Sequence, residues 1–110
     1  MSGERFVNSL RARDEAIRLV ADSATDVWTV RVQGAEVLDA VRVVVQPSTL
    51  VRDVKQAAMT ALMPDVDAID GYVVKLLGIE IVNENVSLES AGALDGSTLL
   101  VMSRRRRPVQ

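Results

Sequence analysis

The side chains that could do chemistry are few, and two common catalytic types are absent. The chain has no cysteine and no histidine, which excludes disulfides, thiol catalysis and histidine general bases. Asp65, Asp67 and Asp70 are spaced like metal ligands, but the glycine and closing glutamate of a twelve-residue calcium loop are missing from their positions. Ser48 and Thr49 lack a partner base and suit helix capping. The sequence therefore predicts no catalytic residue, metal site or cofactor.

A second chemical feature is a run of four arginines that follows Ser103, namely Arg104, Arg105, Arg106 and Arg107. The net charge of −2 hides a segregation, because residues 26–103 carry five basic and eleven acidic side chains whereas residues 104–110 carry a charge of +4. Such a run is a solvated tail, a nuclear-import signal or a patch for RNA or another anionic partner. Aromatic side chains that could stack on bases are nearly absent, so base-specific recognition is not expected.

The elements that position these groups begin with an N-terminal extension. Phe6, Leu10, Ile17 and Val20 recur at steps near the helical period, which predicts an amphipathic helix over residues 4–21. A polar linker follows it, so residues 1–25 form a helical extension and linker. Docking of this helix on its own domain, binding to a partner and fraying all remain open at this point.

The hydrophobic period then changes from 3.6 to 2. Valines alternate with polar residues in two runs around the turn at Gln33–Glu36, which predicts a β-hairpin. A helix with Asp53 and Lys55 as surface charges follows, between Pro47 and Pro64. The predicted elements are strands 28–32 and 41–45, a helix from 48 or 49 to 62, and strands 72–77, 79–82 and 97–102. The predicted core consists of Trp28, Val30, Val32, Val41, Val43, Val45, Val51, Val54, Leu62, Val74, Leu76, Ile81, Leu88, Leu99 and Val101.

Three phrases within residues 28–103 resemble ubiquitin-like proteins in their order and spacing. Gln46–Lys55 resembles the family's strand-end and helix-start segment, Val74–Ile81 its third strand with a glycine turn, and Asp95–Met102 its closing strand. The resemblance implies an α+β class and a ubiquitin-like β-grasp fold, a ββαββ mixed sheet packed on one helix. The domain would span residues 26–103, followed by a disordered basic tail at 104–110.

Two departures from the family bear on function. Ubiquitin carries a conjugating di-glycine where this chain carries bulky arginines, so the protein is expected to be of the non-conjugating type. The family's binding face centres on an aliphatic residue of the third strand. Lys75 takes that place here, and Leu100 and Met102 flank it from the last strand. These three residues form the predicted protein-binding face.

The expected function is a non-catalytic protein–protein interaction module that binds through this face or through the N-terminal helix. Two alternatives stay open: a basic-tail binder of RNA or an acidic partner, similar to ubiquitin-like domains of splicing factors, and a relative of ubiquitin-like proteins of bacterial secretion systems. No apolar run reaches the roughly 18 residues of a membrane span. We therefore expect a monomeric intracellular protein, cytoplasmic or nuclear, without a membrane partner.

Overall fold

The computed structural model describes residues 16–104, which form one mixed six-stranded sheet with a single α-helix packed on one face. The elements in chain order are β1 (Ile17–Arg18), β2 (Trp28–Gly34), β3 (Asp39–Val45), α1 (Val51–Leu62), a 3₁₀ turn (Ile69–Gly71), β4 (Tyr72–Leu76), β5 (Ile79–Glu80) and β6 (Thr98–Ser103). The strand order across the sheet is β1-β3-β2-β6-β4-β5. This architecture confirms the β-grasp prediction.

The β2–β3 hairpin is antiparallel and longer than predicted, with Trp28 opposite Val45 and Gly34 opposite Asp39. Its turn therefore lies at residues 35–38, two residues later than the sequence suggested. Gly34 is needed there because a Cβ at this position would lie 2.7 Å from Cγ2 of Val37. On its other edge β2 pairs in parallel with β6, so the first long strand and the last strand form the centre of the sheet.

The N-terminus of α1 is capped by distant backbone groups. The predicted capping by Ser48 or Thr49 is wrong, since the N-cap residue is Leu50 and no side chain bonds the helix start. Thr49 Oγ1 instead accepts a hydrogen bond from the Gln46 N–H (2.9 Å). The N–H groups of the first helical turn have no partner within the helix. Those of residues 51 and 52 donate to the carbonyls of residues 86 (3.0 Å) and 84 (2.8 Å) in the loop that follows β5.

The predicted helix over residues 4–21 is wrong at its C-terminal end, and residues 4–15 lie outside the described part of the chain. Ile17 and Arg18 form β1, which pairs in parallel with Val43 and Val44 of β3. The Leu19 N–H continues the pairing to the Val44 carbonyl (2.9 Å). Ile17 and Leu19 pack against the core. The backbone groups at the edge of β3 thus pair with a segment whose apolar spacing suits a strand as well as a helix.

The core lies between the sheet and α1 and is aliphatic, as predicted. Every predicted core residue is buried except Trp28 and Ile81, which are partly buried and pack against the cluster. The buried side chains that were not predicted to be part of the core are Val44, Lys55, Ala58, Met59, Met63, Val73 and Ala93.

Candidate protein-binding face

The candidate site lies on the side of the sheet opposite α1, which we call the outer face. Successive side chains of a strand point to opposite sides, and the core takes residues such as Val74, Leu99 and Val101. The intervening side chains therefore point outward. On β2, β3, β4 and β6 they are Thr29, Arg31, Gln33, Ala40, Arg42, Val44, Val73, Lys75, Thr98, Leu100 and Met102.

The structure brings the three predicted site residues together. The antiparallel register of β4 and β6 places Lys75 directly opposite Leu100, and Val73 directly opposite Met102. Lys75, Leu100 and Met102 are each half-buried, while Val73 is only 5% exposed. The result is an apolar strip of three side chains with one ammonium group at its side.

The charge of Lys75 has an acidic neighbour on the next strand. Glu80 of β5 lies opposite Lys75 in the register, and its Oε2 is 3.7 Å from Nη1 of Arg104. Opposite charges on facing strands stabilise a sheet modestly. Glu80 thus has two basic neighbours, Lys75 and Arg104, and the apolar strip is the most distinctive chemical feature of this edge of the outer face.

Of the four tail arginines, Arg104 lies at the end of the sheet and the other three lie outside the described residues. The Arg104 N–H donates to the Gly71 carbonyl (2.7 Å), which prolongs the β4–β6 pairing by one step. Its side chain reaches Glu80, as described above. Arg104 is thus held by the folded domain.

A second group of outward side chains was not singled out from the sequence. Arg31 on β2 and Arg42 on β3 are exposed and lie directly opposite one another. The sequence shows both arginines at polar positions of the two alternating runs. Whether they face each other depends on the length of the turn, because the turn sets the register of the two strands. Gln33 links this pair to the predicted face, since it lies beside Leu100 on β6.

One charged pair belongs to the helix side and has a structural role. Lys55 was predicted to be a surface charge, yet its side chain is only 3% exposed. Its Nζ lies 3.0 and 3.1 Å from the two carboxylate oxygens of Glu84, whose side chain is 21% exposed. The pair joins α1 to the loop that caps it, whereas Asp53 is exposed as expected.

The acidic residues of the loop after α1 do not assemble into a site. Asp65, Asp67 and Asp70 are exposed. Within residues 16–104 no group of three or more potential ligands is placed to hold a metal ion. No helix in that same range is long and apolar enough to cross a bilayer.

Comparisons with known proteins give structural likeness alone. No protein-family model and no curated protein matches the chain. Among solved structures, the ubiquitin-like domain of an Arabidopsis thaliana protein is 17% identical with a TM-score of 0.60, covering 82% of this chain and 90% of that domain. A ubiquitin-like protein from Trypanosoma brucei is 24% identical with a TM-score of 0.58, covering 74% and 99%. The C-terminal ubiquitin-like domain of mouse tubulin-specific chaperone e is 18% identical with a TM-score of 0.61, covering 82% and 99%. These likenesses agree with the resemblance in the sequence and show the ubiquitin-like β-grasp fold.

Proposed function

We propose that this chain, which has the ubiquitin-like β-grasp fold, is a non-catalytic protein–protein interaction module that is not conjugated to substrates. The observation that carries the proposal is the β4–β6 register, which gathers Val73, Lys75, Leu100 and Met102 on the outer face. Apolar side chains that share one face with a charged group are typical of the centre and rim of a protein interface.

The non-catalytic part of the proposal is supported by side-chain chemistry. The sequence has neither cysteine nor histidine, and the buried ammonium of Lys55 is bound by the Glu84 carboxylate. A catalytic lysine needs access to substrate. Lys55 is closed off from solvent, so its chemistry is that of a structural ion pair.

The non-conjugating part is supported by the segment that directly follows β6. Conjugation needs a slim, extended segment that can enter an active site, for which glycine offers the least steric resistance. Here Ser103 is followed by four arginines, and the first of them is bound to Gly71 and Glu80 of the folded domain.

A substitution on the outer face tests the proposed function. Leu100→Asp places an unpaired charge in the apolar strip, and we expect it to remove partner binding without unfolding the chain. Val82→Glu is the matched control, since Val82 is 82% exposed and lies outside the outer face. A protein retained by the native chain and by the control, but not by Leu100→Asp, is a candidate partner.

Nuclear magnetic resonance then locates the contact. On titration of that partner into the ¹⁵N-labelled chain, amide shifts should centre on residues 73–75 and 100–102. Shifts confined to α1 and the loop at residues 83–87 would overturn the outer-face proposal.

The arginine run favours a second candidate function, the binding of RNA or another anion. Arg104 is engaged with Glu80, which leaves Arg105, Arg106 and Arg107 as the expected contacts. Three phosphate contacts on a single strand give a log–log salt slope of about −2. Affinity for an oligonucleotide that does not vary with salt, or that survives alanine substitution of all three arginines, would reject this candidate.

A further inference from the structure

Two arginines face each other on the outer face, on the opposite side of Gln33 from the apolar strip. Arg31 and Arg42 occupy the same cross-strand pair of the β2–β3 hairpin, and both side chains are exposed. Like charges directly opposite one another in a sheet are destabilising. The hairpin therefore places two arginines in one cross-strand pair at a cost to its own stability.

The other basic side chains of residues 16–104 are engaged or face an acid. Arg18 pairs with Asp22, Lys55 with Glu84 and Arg104 with Glu80. Arg52 donates to Asn85 (3.4 Å), and Lys75 faces Glu80 in the register. Within the same range, neither Arg31 nor Arg42 forms an ion pair with a carboxylate.

The surface at the arginine pair is concave. A depression of about 380 Å³ is lined by Arg31, Gln33, Arg42 and residues 38–41, which span the end of the turn and the start of β3. Each guanidinium offers several N–H donors in a planar fork that matches a carboxylate, and the Gln33 amide offers more. Asp39 also lies at the rim, where its Oδ1 accepts a hydrogen bond from the Ala40 N–H (2.8 Å). The depression has room for one or two acidic side chains.

We propose that the depression between Arg31 and Arg42 binds the carboxylates of an acidic segment in a protein partner. The inference rests on the proposed function, since it assigns a charge to the partner of the outer face. Charge complementarity gives the sign of that segment. Gln33 connects the depression with Leu100, so one partner can cover both the basic pair and the apolar strip.

A protein segment fits this surface better than a nucleic acid does. No outward side chain of β2, β3, β4 or β6 is aromatic, so the face has no platform on which bases could stack. Residues 16–104 carry seven basic and twelve acidic side chains. The net negative charge of this range repels an extended polyanion. A short acidic segment interacts with the arginine pair alone and largely avoids that repulsion.

The test uses a hexaglutamate peptide as the probe and the ¹⁵N-labelled full chain. We expect salt-sensitive amide shifts at residues 31–33 and 38–42, and none with hexaglutamine. Arg42→Glu should weaken peptide binding at this location at least about tenfold, because it removes one guanidinium group and places a carboxylate opposite the other, that of Arg31. Arg52→Glu makes the same change in net charge on the helix side and should weaken it much less.

The same variant separates loss of binding from loss of folding. Arg42→Glu replaces a like-charge pair by an opposite-charge pair with Arg31, so its thermal midpoint should equal or exceed that of the native chain. Leu100→Ala, which shortens the apolar strip without adding a charge beside Gln33, should weaken partner binding and leave peptide binding at residues 31–33 and 38–42 in place. The two proposals can therefore fail separately.

Three outcomes would overturn the inference. The first is that hexaglutamate shifts only residues of the C-terminal tail. The second is that Arg52→Glu weakens binding at residues 31–42 as much as Arg42→Glu does. The third is that a hexauridylate oligonucleotide binds this location more tightly than the peptide, which would assign the arginine pair to nucleic acid.

Discussion

The buried ion pair between Lys55 and Glu84 gives the sharpest stability prediction, because its two members are exposed to very different degrees. The Lys55 side chain is 3% exposed and that of Glu84 is 21% exposed, with Nζ at 3.0 and 3.1 Å from the carboxylate oxygens. Removing one member of a buried pair costs about 3–5 kcal/mol when the remaining charge stays buried. The cost should therefore depend on which member is removed.

Glu84→Gln leaves the ammonium of Lys55 buried without a counter-charge, so we expect a loss of about 3 kcal/mol in the free energy of unfolding. Lys55→Met keeps most of the buried alkyl stem and leaves a carboxylate that solvent partly reaches, so about 1.5 kcal/mol is expected. The double variant leaves no buried charge. It should lose no more than Lys55→Met does, about 1.5 kcal/mol, which is about 3 kcal/mol less than two additive losses would give.

Urea unfolding followed by the fluorescence of Trp28, the only tryptophan, measures all three variants. Raising the salt from 0.1 to 1 M should change the losses little, since a buried pair is weakly screened. The matched control is Glu80→Gln, which breaks the exposed pair with Arg104 (3.7 Å) and should cost below about 1 kcal/mol. Additive losses, or a larger cost for Lys55→Met than for Glu84→Gln, would refute the reasoning.

Three further changes test the packing of the domain by thermal or urea unfolding. Leu77 has a left-handed φ of 54° in the tight β4–β5 turn and is 89% exposed, so Leu77→Asn should stabilise the chain by about 0.5–1 kcal/mol; a loss would contradict the assigned strain. Gly34→Ala brings a methyl group to 2.7 Å from Val37 and should cost about 1–3 kcal/mol, whereas the control Gly71→Ala meets no atom within 4 Å. Leu99→Ala removes a core side chain that is 1% exposed and should cost about 2–4 kcal/mol; a cost below about 1 kcal/mol would mean that the core collapses around the gap.

The hairpin, α1 and the final strand were predictable because their signals are local. Valines that alternate with polar residues identify a strand face, and apolar residues three or four apart identify a helix face. The same alternation placed Leu100 and Met102 outward and Leu99 and Val101 inward, so the predicted face follows once β4 and β6 are known to be neighbours.

The N-terminal segment shows where local signals fail. The spacing of Ile17 and Val20 suits a helix, and that of Ile17 and Leu19 suits a strand. The structure resolves the ambiguity through the free edge of β3, whose backbone groups pair with β1. The start of α1 is similar, because carbonyls of residues 84 and 86 replace the capping side chain that a local pattern predicts.

The sequence by itself determined the order of the elements from β2 to β6, the aliphatic core, the absence of cysteine and histidine chemistry, and the arginine run after the last strand. Only the tertiary structure decided which charged groups meet. Lys55 and Glu84 lie 29 residues apart in the chain, and the cross-strand pairing of Arg31 with Arg42 depends on the length of one turn. Hydrophobic periodicity is a property of neighbouring residues, whereas the partners of a charge depend on strand register and helix docking, which the whole domain sets together.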